Sequence, residues 1–181
     1  MLSLIVPFLN GENWLPYFLD HHLNLLSNKD QIVLIEGATS WNSSAEHQRG
    51  LSVDASRSII SKYDVKYFPK GRVHNITELI SVGYDASRPY EYIGILSVSD
   101  FLMQYPKLDG DYLASKRLEL VGDFHHAQKE SEYVFFFKNI EGIRFLNGVA
   151  QPVLNGVELF KHTGLKFINP LVVSLENIET K

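Results

Sequence analysis

The chain has 181 residues, 45% of them hydrophobic and 21% charged, with a formal net charge of -4 and no cysteine. This length buries one sizeable core, so a single domain over 1–181 is expected. Lack of cysteine excludes disulfides, thiolate catalysis and Cys-ligated zinc and fits a reducing cytoplasm, and the negative balance without any dense Lys/Arg run gives no electrostatic case for a nucleic-acid partner.

The first nine residues are apolar, lack the basic start and cleavage site of a signal peptide, and run into Asn10-Gly11-Glu12. Leu2 to Val6, stopped by Pro7 and the Asn10-Gly11 turn signal, reads as a buried strand. From Glu12 to Leu26 the apolar residues Trp14, Leu15, Phe18, Leu19, Leu23 and Leu26 recur at helical spacing, with Asn10 or Asn13 as cap. Gln31 to Ile35 is a second buried strand, ending at Glu36-Gly37. The polar stretch Ser40 to Gly50 reads as a loop that crosses the surface or covers a site. Ser52 to Lys62 reads as a helix, with Asp54 near its start to suit the helix dipole. Val65 to Phe68 is a third strand, ended by Pro69 and Gly71. Asn75 to Ala86 is an amphipathic helix capped by Asn75 or Thr77. Tyr92 to Leu102 opens as a β-branched-rich buried strand and carries Ser97, Ser99 and Asp100 near its end. Strand and helix alternate this far, which predicts right-handed crossovers and a mostly parallel sheet covered on both faces.

After Pro106 the pattern changes. A helix is expected around Tyr112 to Leu120, a strong strand at Tyr133 to Phe137, and shorter strands at Ile143 to Leu146 and Val153 to Leu154. Asn147-Gly148 and Asn155-Gly156 are turn signals. The second half is thus a smaller mixed region that adds antiparallel strands. No apolar run is long enough to span a bilayer as a helix.

Ligands of an open parallel sheet sit beyond the carboxyl ends of its strands. Four strand ends carry distinctive residues: Pro7, Phe8 and Asn10; Glu36 and Gly37; Lys70, Gly71 and Arg72; Ser97, Ser99 and Asp100. Proline and glycine let backbone pass close to a ligand, Phe8 can lie against a ring, and Glu36 can accept hydrogen bonds from a base or ribose. Together they outline a nucleotide crevice.

The order Ile5-Val-Pro-Phe-Leu-Asn-Gly-Glu12, then a helix containing Tyr17 and His21-His22, then Ile32-Val-Leu-Ile-Glu-Gly37, resembles the start of family 2-like glycosyltransferases of the GT-A fold. Lys70-Gly71, the helix with Asn75 and Glu78, and Ser97-Val-Ser-Asp-Phe-Leu102 continue the match in the right order. The resemblance covers Met1 to Leu102 and extends only loosely beyond. It implies an α/β, Rossmann-type three-layer sandwich with a mostly parallel central sheet and a smaller mixed C-terminal part. It further implies a nucleotide-diphosphate sugar donor, a carbohydrate or other acceptor, and Mg2+ or Mn2+. Carried over by position, Pro7 and Phe8 line the nucleotide, Glu36 meets the base or ribose, and Gly71 passes the nucleotide. Ser97-Val98-Ser99-Asp100 falls on the family's metal-holding acidic signature, whose aspartates bridge the cation to the diphosphate.

Here the chain departs from the family, because serine stands at two positions where aspartate is expected and only Asp100 is acidic. Three readings stand open. Asp100 holds the metal together with a later residue such as His162; or Lys70, Arg72 or Arg144 neutralises the diphosphate without metal; or the domain only binds. Transfer with inversion also needs a base for the acceptor hydroxyl. Asp109, Asp111, Asp123 and Glu141 are candidates, with Asp123, before His125-His126, preferred. His21 and His22, adjacent on a helix, make a poor pair of ligands for one ion. The expected function is glycosyl transfer from a nucleotide-sugar, with an inactive nucleotide-sugar binding module as the alternative.

Overall fold

The computed structural model of the chain describes residues 1–39, 49–121, 128–146 and 152–177. Its first strand, β1 (Leu2–Phe8), is flanked by α1 (Leu15–Leu25) and pairs in parallel with β2 (Gln31–Glu36). After the short α2 (Ser56–Ile60), β3 (Lys66–Pro69) pairs in parallel with β2. The chain then crosses back through α3 (Ile76–Ala86) and enters β4 (Tyr92–Ile95), which lies in parallel on the other side of β1.

Both faces of β1 are buried, which is why its sequence shows no polar alternation. Leu2, Leu4, Val6 and Phe8 pack with Leu15, Phe18 and Leu19 of α1 on one face. Ile5 packs with Ile35 of β2 and with Leu79 and Tyr84 of α3 on the other. Helices therefore cover both faces of the sheet at β1. The cap of α3 is Asn75, whose side-chain oxygen accepts the amide of Glu78 at 3.2 Å. The helix expected over 52–62 is limited to five residues, since Ser52 to Ala55 are drawn into hydrogen bonds with the loop after β1.

The second half extends the same sheet. It contributes β5 (Asp100–Leu102), β6 (Tyr112–Val121), β7 (Gln128–Lys138), the short β8 (Ile143–Phe145), β9 (Pro152–Leu154) and β10 (Val157–Glu158), then α4 (Leu159–Thr163) and β11 (Lys166–Asn177). The large sheet runs β3-β2-β1-β4-β7-β6-β11-β5, and β8, β9 and β10 form a separate antiparallel sheet. β7 is antiparallel to β4 and β6, and β5 is antiparallel to β11. The architecture is thus mixed α/β with an eight-stranded mixed sheet. Parallel pairing holds for the first four strands and again between β6 and β11, while the β4–β7, β7–β6 and β11–β5 pairings are antiparallel, as a mixed second half implies. A mostly parallel sheet is therefore found only in the first half.

The helix expected around Tyr112 to Leu120 is instead β6. Its residues are good helix formers, but the segment lies between β7 and β11 and both its neighbours hydrogen-bond to it. Tyr133 to Phe137 lies in β7 as expected, with Phe136 and Phe137 buried on opposite faces. Asn155 and Gly156, both at positive φ (52° and 82°), form the two-residue turn joining β9 to β10. The Asn147-Gly148 turn and most of the loop expected at Ser40 to Gly50 lie outside the described residues. Among the described residues no helix is long and apolar enough to cross a membrane.

Candidate functional site

Strand order reverses at β1, because β2 and β3 lie to one side and β4 to the other. The crevice of such a sheet opens there, beyond the carboxyl ends. Ile5 O accepts the Leu96 amide at 3.1 Å, and Phe8 O accepts the Gly37 amide at 3.0 Å. Odd residues of β1 therefore turn their backbone toward β4 and even ones toward β2. β4 ends at Ile95, opposite Ile5. Pro7, two residues on, presents its N-substituted nitrogen where no strand continues, so its missing donor costs nothing. Phe8 is 5% exposed and its ring packs in the core.

The loop after β1 is fastened to the segment before α2 by reciprocal hydrogen bonds. Asn10 N donates to Ser52 Oγ at 3.0 Å, and Val53 N donates to Asn10 Oδ1 at 3.1 Å. Gly11 N donates to Ser56 Oγ at 2.8 Å. Glu12 N donates to Asp54 Oδ2 at 3.0 Å, while Ala55 N donates to Glu12 Oε2 at 2.8 Å. This interlock makes one wall of the site.

Backbone makes the other wall. Glu36 O accepts the amides of Lys70 and Gly71, at 2.9 and 3.2 Å. A Cβ at Gly37 would stand 2.6 Å from Gly71 O and 2.6 Å from Leu79 Cδ2. Gly71 adopts φ 80°, which favours glycine. These glycines bring the two loops into close approach. Lys70 and Arg72 leave this turn with exposed side chains.

The Glu36 carboxylate points inward and is 0% exposed. Ser52 N donates to its Oε1 at 2.5 Å, Arg57 Nε donates to its Oε2 at 3.2 Å, and the Tyr67 hydroxyl donates to the same Oε2. Burial alone would push this carboxyl up, but the hydrogen bonds from Ser52, Tyr67 and Arg57 hold it below its usual range. The same burial and the bond to Glu36 push the Tyr67 phenol up to about 12. Glu36 thus ties β2, β3 and α2 together, with its oxygens engaged by the protein rather than turned to a base or ribose.

The turn between β4 and β5 holds Ser97 and Ser99, and Asp100 opens β5. Arg117 Nε donates to Asp100 Oδ1 at 2.8 Å, and Ser97 N donates to Asp100 Oδ2 at 2.8 Å. Arg117 reaches from β6 across β11, where one terminal nitrogen donates to Ser174 Oγ at 3.0 Å. The Ser97 and Ser99 hydroxyls lie 3.1 Å apart. Ser99 is 2% and Asp100 3% exposed. Burial pushes the Asp100 carboxyl up, against the pull of Arg117 and of the Ser97 amide.

A hard divalent cation needs several accessible oxygen ligands. Both Asp100 oxygens are already bonded, and the described residues contain no group of three His, Asp or Glu side chains that could hold a metal. His162, on α4, is exposed, and its Nε2 lies 3.0 Å from Leu154 O, so that nitrogen donates. The described residues therefore do not fit Mg2+ or Mn2+. Asp123 and His125-His126 lie outside the described residues. Of the other candidate bases, Asp109 is bonded to Lys166 and Lys107, which hold its carboxyl low, and Asp111 stands 3.9 Å from Lys138.

His21 and His22 do converge, though not as ligands of an ion. His22 Nε2 accepts the Leu102 amide and His21 Nε2 donates to the Leu102 carbonyl. Arg117, Ser174, Arg57 and Tyr67 were not foreseeable as partners of the strand-end acids. Arg117 lies in a segment with helical composition, and the other three are ordinary in their local sequence. A cavity of about 720 Å3, lined by Leu23, Leu26, Asp30, Gln31, Lys66 and Tyr90 among others, opens at the amino ends of β2 and β3, opposite the site.

No family model matches the chain, and no curated protein sequence matches it. Among solved structures, residues 1–349 of S. aureus TarS in complex with UDP are similar at TM-score 0.45 and 16% identity, over 72% of this chain and 38% of that one. The structure described as S. aureus TarS 1–349 alone is similar at TM-score 0.48 and 13% identity, over 76% and 47%. A nucleoside-diphosphate-sugar pyrophosphorylase from Vibrio cholerae RC9 is similar at TM-score 0.46 and 10% identity, over 96% and 92%. The chain spans less than half the length of the first two. Likenesses this distant leave the site to be read from its own residues.

Proposed function

We propose that this chain binds a nucleotide-diphosphate sugar beyond the carboxyl ends of β1 to β4 and transfers the sugar to an acceptor, as a glycosyltransferase. The observation that carries the binding half is the reversal of strand order at β1, with β4 ending two residues short of Pro7 and leaving a gap at the mouth of the crevice. Pro7, Asn10, Gly37 and Gly71 supply its backbone walls, and Lys70 and Arg72 supply exposed positive charge for the phosphates. The transfer half rests on the resemblance of Met1 to Leu102 to family 2-like glycosyltransferases, with Asp123 as the proposed base.

A second reading is favoured by a specific observation. Asp100 is buried and bonded to Arg117, which fits a nucleotide-sugar binding module without catalysis. Calorimetric titration with UDP, GDP and their sugars tests the binding half, and release of free UDP from UDP-sugars tests the transfer half. Saturable binding with UDP release supports the enzyme. Binding without release, with or without added acceptor sugars, supports the module. Absence of binding by every nucleotide removes both.

A further inference from the structure

We propose that the Arg117 guanidinium takes the place of a divalent cation beside Asp100, so that this chain binds a nucleoside diphosphate without metal. The inference rests on the binding half of the function proposed above and gives that site its charge balance.

The geometry on all sides of Asp100 carries it. The carboxylate is on β5, the guanidinium on β6, and Ser174 on β11, the strand between them. Arg117 uses Nε for Asp100 Oδ1 and a terminal nitrogen for Ser174 Oγ, so the side chain is held at two points and is not free to swing away. The second carboxylate oxygen takes the Ser97 amide from within the turn. A cation entering here would have to displace a charge-assisted hydrogen bond and a backbone bond at once. It would gain in return only neutral hydroxyls, and that of Ser99 is buried.

Two serines where carboxylates would be needed fit the same account. The Arg117 guanidinium offsets the buried carboxylate of Asp100. A second or third carboxylate in the turn would leave unpaired negative charge in a water-poor place. Ser97 and Ser99 instead hydrogen-bond to each other and shape the turn. The positive charge that a metal would lend to the diphosphate must then come from side chains at the mouth, where Lys70 and Arg72 are exposed.

The test combines a double-variant cycle with ligand titration, on the full chain. Arg117→Met leaves Asp100 as a buried uncompensated charge and is expected to lower Tm by about 10 °C. Asp100→Asn combined with Arg117→Met removes both charges and is expected to recover most of that loss. In wild type, Mn2+ and EDTA are expected to give the same Tm, and the UDP Kd is expected to differ by less than about twofold between them. Three results would overturn the proposal: tightening of UDP about tenfold by Mn2+ in wild type but not in Asp100→Asn, a Mn2+-dependent rise in Tm that Asp100→Asn abolishes, or a double variant as unstable as Arg117→Met alone. If UDP binds in neither condition, the reading of the crevice fails and with it the diphosphate half of this proposal. The cycle and the Mn2+ response of the ligand-free protein still decide whether Arg117 stands in the cation's place.

Discussion

His22 Nε2 accepts the backbone amide of Leu102 at 3.3 Å, while its Nδ1 lies 2.9 Å from Phe18 O. The carbonyl can only accept, so Nδ1 carries the proton and the ring is neutral. His21 takes the other side of Leu102, donating to its carbonyl at 2.7 Å. A pair of adjacent histidines on α1 thus clasps both backbone groups of the last residue of β5, two residues beyond Asp100.

This clasp has a pH signature. Burial, chiefly, pushes the His22 pKa from 6.5 down to about 4, against the hydrogen bond to Phe18. As pH falls, the unfolded chain binds its proton first. The stability from neutral His22 is complete above about pH 6.5 and is lost progressively down to about pH 4. The loss is about 3 kcal/mol over that window. Urea unfolding across pH 4 to 7 should show it, and His22→Gln should flatten the slope. An imidazole resonance of His22 that titrates near its usual value in the folded protein would defeat the argument.

Glu36 gives a second, more acidic window. Its folded pKa lies below the usual 4.5, so its stabilisation is present above about that pH and lost as pH falls through the folded value. Glu36→Gln would set an amide against the Ser52 and Arg57 donors. The expected cost near neutral pH is about 2–4 kcal/mol, because buried donors lose a charged acceptor. The variant should also lack the wild-type loss of stability below pH 4.5. Wild-type stability in Glu36→Gln would mean that the three donors find other partners.

Much of the first half was legible because local signals agreed with the global fold there. Strand runs without polar alternation, the Asn75 cap and the alternation of strand and helix all point to parallel strands covered on both faces. The second half was less legible for physical reasons. Leu113 to Leu120 has helical composition, and only pairing on both sides makes it β6. Pro170 sits in β11 where the ladder to β6 shifts register between Ile168 and Val172, so the sequence of that strand carries a breaker inside it. Tyr92 to Leu102 reads as one strand, yet the turn stabilised by Ser97 N on Asp100 splits it into β4 and an antiparallel β5. The strand-end residues themselves were identifiable, but their direction was not. Glu36 and Asp100 look like ligand-binding acids until Arg57 and Arg117, distant in sequence, are seen to face them.

Gly37 tests how tightly the two loops of the site are pressed together. Its missing side chain leaves room for Gly71 O and for Leu79 Cδ2. Leu79 is buried and the backbone of Gly71 is bonded to Glu36 O, so neither yields easily. Gly37→Ala should cost about 1–3 kcal/mol by overpacking. Gly156→Ala is the control, since at φ 82° nothing lies within 4 Å of its Cβ. It should cost only the backbone strain of about 1 kcal/mol. Equal losses in the two variants, measured by urea unfolding, would show that close approach at Gly37 is not the constraint.

Lys70 and Arg72 flank Gly71, and the amides of Lys70 and Gly71 both bond to Glu36 O, which fixes the point at which these two side chains leave the turn. Both are exposed, and among the described residues neither has an acidic partner to occupy it. With Arg117 committed to Asp100, Lys70 and Arg72 are exposed cations at this strand end that can meet a diphosphate. Lys70→Ala and Arg72→Ala should each weaken UDP binding about tenfold. Stability should change by less than about 0.5 kcal/mol, as expected for exposed positions. The salt dependence of UDP binding should fall in parallel, because the lost contacts are ionic. Uridine, which carries no phosphate, should bind wild type and both variants alike. A double variant that binds UDP as wild type does would remove these two residues from the phosphate site and move the search to Arg144.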